Sequence, residues 1–179
     1  MNHAMIDVEA LRLKQPWRAP LMQVGIVIFD EQANLIQAYE MNVDQSTLPN
    51  WVQAEVGTVE FWQQQKLWPE LQEKMAAGDS AEKVMRMLRD IYEFNVCQSA
   101  WFAGPTYDQV MLEAYYDHYG IVFPWKYNDS RDFRTIRKQY KSVLEDFPEN
   151  PNLHSAMDDC IHQVARLRHI TQRTGFTWA

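Results

Sequence analysis

The sequence predicts an α/β layered fold organised as one domain, and three observations carry that expectation. Three β-rich runs lie within the first 43 of 179 residues. The rest of the chain mixes amphipathic helical segments with a further short apolar run. No repeat, low-complexity tract or interdomain linker interrupts it, and the length suffices for a sizeable core.

Each element follows from its own pattern. "AMIDVEAL" (4–11) alternates, with Ile6, Val8 and Ala10 on one side and Asp7 and Glu9 on the other, the period of a strand. "LMQVGIVIFD" (21–30) and "NLIQAYEMNV" (34–43) are β-rich and are joined by the polar "DEQAN", which reads as a hairpin turn. Residues 51–75 look helical, punctuated by Gly57 and Pro69. Residues 78–94 form a clearer amphipathic helix, with Asp79 or Ser80 as N-cap and Val84, Met87, Leu88 and Ile91 as its stripe. A short strand over 98–104 precedes a helix over 105–120, opened by Pro105 and closed by Gly120. "IVFPWKYNDSRDF" is less regular and leads into "RTIRKQYKSVLEDF"; "PENPN" (148–152) is a loop. The last helix spans 153–175, with Gly175 beyond its end.

Composition narrows the class. At 46% apolar and 23% charged residues, with seven Trp, eight Tyr and eight Phe, the chain is globular rather than disordered. No apolar run approaches the roughly 18 to 20 residues of a membrane span, and the first residues lack the layout of a signal peptide. Cys97 and Cys160 are too few for a disulfide framework or a zinc site, and are expected to be reduced, buried thiols of a cytoplasmic protein. The net charge of −7 argues against a large surface that coats nucleic acid. It leaves room for a small site that meets phosphates through metal ions.

Three acidic places stand out. Asp7 and Glu9 project together from their strand, and adjacent carboxylates repel unless something positive lies between them. The pair is either a solvated strand face or a cation site. Asp108 heads a stripe with Met111, Leu112, Tyr115 and Tyr119, where a carboxylate is costly unless paired, metal-bound or acting as a helix cap. In "HSAMDDC" (154–160), Ala156, Met157, Cys160, Ile161, Val164, Leu167 and Ile170 share one side of the final helix. Asp159 falls at the edge of that side and Asp158 nearly opposite, so geometry selects Asp159 for an interior site. His154 sits at or just before the helix start; the ordinary reading of this group is capping. Hard oxygen ligands without Cys suit Mg²⁺ or Mn²⁺, two such ions can clamp a phosphodiester displacement, and a neutral His can take a proton from water.

The pattern Asp7-x-Glu9 … Asp108 … His154-x4-Asp159 resembles the DEDDh 3′→5′ exonucleases of the ribonuclease H-like fold. The chain is more similar still to a small 3′→5′ exoribonuclease branch of that group found in actinobacteria and phages. "WFAGPTYDQVMLEAYY", "FPWKYNDSRDFRTI", "HSAMDDCIHQVARL" and "TVEFWQQQ" carry that likeness, which spans residues 4 to 170. The resemblance implies a mixed five-stranded sheet flanked by helices, with residues 1–179 as a single exonuclease domain. It implies Asp7, Glu9, Asp108 and Asp159 as ligands of two Mg²⁺ or Mn²⁺ ions, with His154 as general base. Leu11 matches the apolar residue beside the terminal base, Trp62 is expected to flank the nucleotide, and Arg131 could touch a phosphate or pair with Asp132. The implied activity is hydrolysis of single-stranded RNA or DNA from its 3′ end to 5′-mononucleotides, with RNA favoured, by a homodimer.

The family usually shows Thr, an apolar residue and Gly after its D-x-E; here stand Ala10, Leu11 and Arg12. Those changes are the support for a rival reading, a non-catalytic binding subunit that keeps the fold. A third reading keeps the enzyme but changes the substrate to short oligonucleotides or DNA ends. Elsewhere, His162 and His169 read as surface residues, Tyr115 and Tyr119 as core with Tyr116 partly exposed, and "RTIRKQYK" (134–141) as a solvated helix face that could also guide a strand.

Overall fold

The computed structural model describes residues 1–178. Strands β1 (Asn2–Ala10), β2 (Leu21–Asp30) and β3 (Leu35–Asn42) form an antiparallel meander, and β4 (Cys97–Phe102) and β5 (Ser130–Asp132) add to the other side of β1 in parallel. The sheet is therefore mixed and five-stranded, in the order β3-β2-β1-β4-β5. Among the described residues six α-helices accompany it: α1 (Val56–Gln63), α2 (Trp68–Ala76), α3 (Ala81–Phe94), α4 (Asp108–His118), α5 (Phe133–Gln139) and α6 (Ala156–Thr174).

Alternation along β1 divides the core. Ala4, Ile6, Val8 and Ala10 pack with β2 residues against α3 and α4, while Met5 faces Cys160, Val164 and Leu167 of α6. Asp7 and Glu9 share the side of Met5 and so point towards the start of α6. β2 is buried along nearly its whole length, as expected of a strand covered on both faces. A smaller cluster of Met22, Trp62, Leu71 and Met75 holds α1 and α2 to the sheet.

Several boundaries differ from the sequence expectations. Gly104 O accepts the N–H groups of both Tyr107 and Asp108, so residues 105–107 form a turn and the helix starts at Asp108. Leu153–Ser155 likewise precede α6, because His154 takes a left-handed backbone, φ +70°. Residues 51–75 split into two helices, with Pro69 in the first turn of α2. Ser80 is the N-cap of α3, accepting from Lys83 N; Val84 and Leu88 are buried with Met85 and Tyr92, while Met87 and Ile91 sit at the edge. β5 arises in the stretch that looked irregular. Tyr116 is fully buried beside Tyr115, and Tyr119 only half-buried, the reverse of the expected order; α4 packs on both the sheet and α3, which widens its buried arc. Cys160 is buried but Cys97 only partly; both are free thiols.

Candidate active site

The carboxylates meet where β1 ends. Parallel β1 and β4 both direct their carboxyl ends here, the usual place for ligands in such sheets. Asp7 pairs across the ladder with Gly25 of β2, and that glycine lets α6 come close. A Cβ on Gly25 would lie 2.3 Å from the carbonyl carbon of Ala156 and 2.5 Å from Met157 N, in backbone that cannot step aside. Gln23 Oε1 accepts from Ala156 N at 2.8 Å, pinning the first turn of α6 to the sheet. Asp159, one turn into the helix, thereby reaches β1.

Carboxylate oxygens of Asp7, Glu9 and Asp159 all lie within 4.8 Å of one another. Asp108 adjoins them from the start of α4, buried, with Oδ2 accepting from Gly104 N at 3.2 Å. Burial, followed by the charge of Asp159, raises the pKa of Asp7 to about 7, against the opposing pull of a Gln163 hydrogen bond. Glu9 is pushed well above its ordinary value by burial and then by Asp7, Asp159 and Asp108. Burial and the charge of Asp7 raise Asp108 in the same way. Burial and mutual repulsion both disfavour the charged forms of Asp7, Glu9 and Asp108, a cost that a bound cation would offset. Four carboxylates with oxygen donors only fit one or more hard divalent cations.

Neighbours fix the geometry. Asn150 donates to Asp159 Oδ1 at 2.7 Å, and the His154 N–H donates to Oδ2 at 3.0 Å. The His154 ring stands edge-on to Phe61 and Trp62, with centroids 5.2 and 5.7 Å away. Its left-handed backbone is a strained conformation for a non-glycine residue, held here by the bond to Asp159. Gln163 donates to Asp7 Oδ1 at 2.9 Å. Beside these acids a largely apolar pocket of about 440 Å³ opens, lined by Glu9, Ala10, Phe61, Trp62, Tyr107 and His154, among others. Trp62 is buried and donates from its indole N–H to Ala10 O at 3.1 Å.

The structure thus brings together Asp7, Glu9, Asp108, Asp159, His154 and Trp62. Leu11 does not line the pocket; partly buried, it packs on the Trp62–Leu71 cluster. Arg131 donates to the carbonyls of Asn128 and Ser130, and its charge bears on His3 and Tyr92 rather than on the acids. It forms no ion pair among the described residues; Asp132 instead caps α5, accepting from Arg134 N and the Thr135 hydroxyl. The cation that does bear on Asp7 and Asp108 is Arg134, whose guanidinium lies against Gly104. Of the departures after D-x-E, Arg12 has a local role, while Ala10 contributes only a backbone carbonyl that any residue would offer. Ala10 supplies the carbonyl that fixes Trp62, and Arg12 ties its own loop together through Lys14 O, Gln53 O and the Gln15 side chain.

Sequence reasoning missed Asn150, Gln163 and Phe61, and noted Arg134 only as part of the basic stretch 134–141. Gln163 was within reach, since it lies four residues beyond Asp159 on the same helix face. Phe61 neighbours a residue already singled out. Nothing local distinguishes Asn150, and nothing local sets Arg134 apart from the other cations of its stretch.

The comparisons with known proteins agree with this geometry. The nuclease domain of 3′hExo, a DEDDh family member bound to rAMP, superposes with a TM-score of 0.69 at 13% identity, covering 97% of this chain and 92% of that one. The E. coli ExoI–single-stranded DNA complex in its zinc-bound form gives 0.73 at 13% identity, over 97% of this chain and 41% of that one. Exonuclease I from Methylocaldum szegediense gives 0.71 at 11%, again over 97% and 41%. The chain therefore spans about two fifths of the exonuclease I chains it resembles. No curated protein sequence matches it. The fold is the ribonuclease H-like α/β fold of the DEDDh exonucleases. Residues 2–171 match the 3′-5′ exoribonuclease Rv2179c-like domain, and the chain belongs to that family of 3′–5′ exonucleases.

Proposed function

We propose that residues 1–179 act as a single exonuclease domain that removes 5′-mononucleotides from the 3′ end of single-stranded nucleic acid, RNA in preference to DNA. The observation that carries this reading is the convergence of four carboxylates, from β1, α4 and α6, beside an apolar pocket walled by Trp62 and His154. Asp7, Glu9, Asp108 and Asp159 would hold two Mg²⁺ or Mn²⁺ ions. Such ions supply charge neutralisation at the phosphodiester and Lewis-acid activation of water. His154 accepts the proton of the attacking water; its ring is oriented by Phe61 and Trp62 and its backbone by Asp159. The terminal base stacks in the apolar pocket against Phe61, with Trp62 as a fixed wall and Leu11 supporting that wall from behind. Arg134, rather than Arg131, is the arginine assigned to the phosphate.

RNA is preferred here because the matching family is described as exoribonuclease. By resemblance the enzyme would be a cytoplasmic homodimer; no helix among the described residues is long and apolar enough to cross a membrane. The binding-subunit reading predicts a degraded site, and the carboxylate set is whole. The deciding experiment follows 5′-labelled single-stranded RNA and DNA with Mn²⁺ or EDTA, comparing wild type with Asp108→Ala. A metal-dependent ladder shortening from the 3′ end, absent in the variant, is expected. No cleavage of either strand by protein that binds Mn²⁺ would overturn the reading.

A further inference from the structure

The basic stretch 134–141 takes part in the chemistry above only through Arg134. Arg134, Arg137, Lys138 and Lys141 recur at offsets of three, four and seven residues along α5 and the turn after it, which places them on one side. Arg137, Lys138 and Lys141 line a pocket of about 550 Å³ together with Arg166 of α6. Glu145 and Glu149 are the acids on its wall. Glu149 approaches Arg166 at 3.6 Å but is 86% exposed, so solvent screens the pair. Arg166 is the buried member: its side chain is 16% exposed, its guanidinium lies 5.9 Å over the Phe147 ring, and its Nε is buried with no hydrogen-bond partner. A chain of net charge −7 here gathers four cations against two acids around a single cavity. That combination calls for an anion.

Position says which anion. Asp159, Gln163 and Arg166 share one face of α6, at offsets of four and seven, and Gln163 bonds to Asp7. Arg166 thus stands about 10 Å along the helix from Asp159. α6 runs back along β1: Gln163 meets Asp7, while Leu167 packs in the cluster that holds Met5. The apolar pocket lies at the other end, against Ala10 and Trp62. Apolar pocket, acids and basic pocket therefore follow one another along α6, and Arg134 stands against Gly104 beside the acids.

We propose that the pocket between α5 and α6 binds the phosphodiester backbone of the substrate strand on the 5′ side of the scissile bond, as the outer end of a track that starts at Arg134. The choice of ligand rests on the exonuclease reading. The test compares wild type with Lys138→Ala/Lys141→Ala, two exposed side chains whose removal leaves thermal unfolding unchanged. Fluorescence anisotropy in EDTA, titrated with salt, measures binding of a trinucleotide and of a labelled RNA strand of about 12 nucleotides. For the longer strand the variant is expected to bind about tenfold more weakly, and the slope of log K against log salt to fall by about 0.7 for each phosphate that the variant no longer neutralises. Trinucleotide binding, and Mn²⁺-dependent trinucleotide cleavage, should be unchanged. Equal affinity and slope for the longer strand, or an equal weakening on the trinucleotide, would overturn the proposal. Wild-type protein that binds both strands and cuts neither would refute the exonuclease reading instead, and the binding comparison would still decide the pocket.

Discussion

Replacing Asp7 by Asn should make the metal-free protein more stable while removing its activity. The Asp7 pKa rises from 3.8 to about 7 on folding, because burial and the charge of Asp159 disfavour ionisation. A carboxyl whose folded pKa lies above its unfolded value binds its proton more tightly when folded. Its contribution is thus fully present below about pH 4, declines as pH rises, and is gone above about pH 7. Three pH units correspond to about 4 kcal/mol as an upper limit, and sharing of protons within the cluster reduces this to about 2 kcal/mol. Asn has nearly the same volume and keeps an acceptor for Gln163 Nε2, so little else changes. In EDTA at about pH 8 the variant should melt about 4–8 °C above wild type. At about pH 5, where most of the wild-type penalty has not yet developed, the gap should shrink to about a third. Saturating Mn²⁺ should reverse the order, because wild type gains binding free energy that the variant lacks. An Asp7→Asn protein less stable than wild type in EDTA at about pH 8, or a gap independent of pH, would refute the electrostatic account.

Three further outcomes follow from the same geometry. Gly25→Ala forces a Cβ to within 2.3 Å of Ala156 backbone, so α6 must shift; unfolding should show a loss of about 1–3 kcal/mol, and cleavage should fall more steeply than stability does. His154→Gln should lower kcat by about 10²–10⁴ with Mn²⁺ affinity by calorimetry unchanged, whereas a purely structural role would weaken both together. Trp62→Phe keeps an aromatic wall but abandons Ala10 O; about 1 kcal/mol of stability should go, and KM should rise more than kcat falls.

The parts of the fold visible in the sequence are those with a strong period. β1 to β4 alternate or run apolar, α3 and α6 show stripes, and Gly175 takes the left-handed backbone expected beyond a helix end. β5 has three half-buried residues at a sheet edge and no period to read; only its parallel ladder with β4 makes it a strand. The acids were legible for a similar reason. Asp7 and Glu9 two apart on a strand, and Asp159 at the edge of a helical stripe, are statements about local geometry. What holds them is not local. Asn150 reaches Asp159 from a loop, Gly25 matters only because a helix more than a hundred residues later crosses it, and Arg134 is distinguished from Arg131 only by which guanidinium the turn at Gly104 receives.

These supports also explain why the fold tolerates such a cluster. Neutralising any one of the clustered acids would relieve repulsion that their low-polarity surroundings magnify, as the raised values at Asp7, Glu9 and Asp108 imply. The chain instead commits backbone and side chain to keeping them together: Gln23 and Gly25 to seat α6, Asn150 and the strained His154 backbone to orient Asp159, Gly104 N to hold Asp108. Gln23 and Gly25 also serve the packing of α6 on the sheet. The contacts to Asp159 and Asp108, however, maintain an arrangement that is unfavourable without a cation and are hard to account for as packing alone. They make sense if the unfavourable charge is what the site uses. Departures from local optimality of this kind are expected where function, rather than stability, sets the sequence.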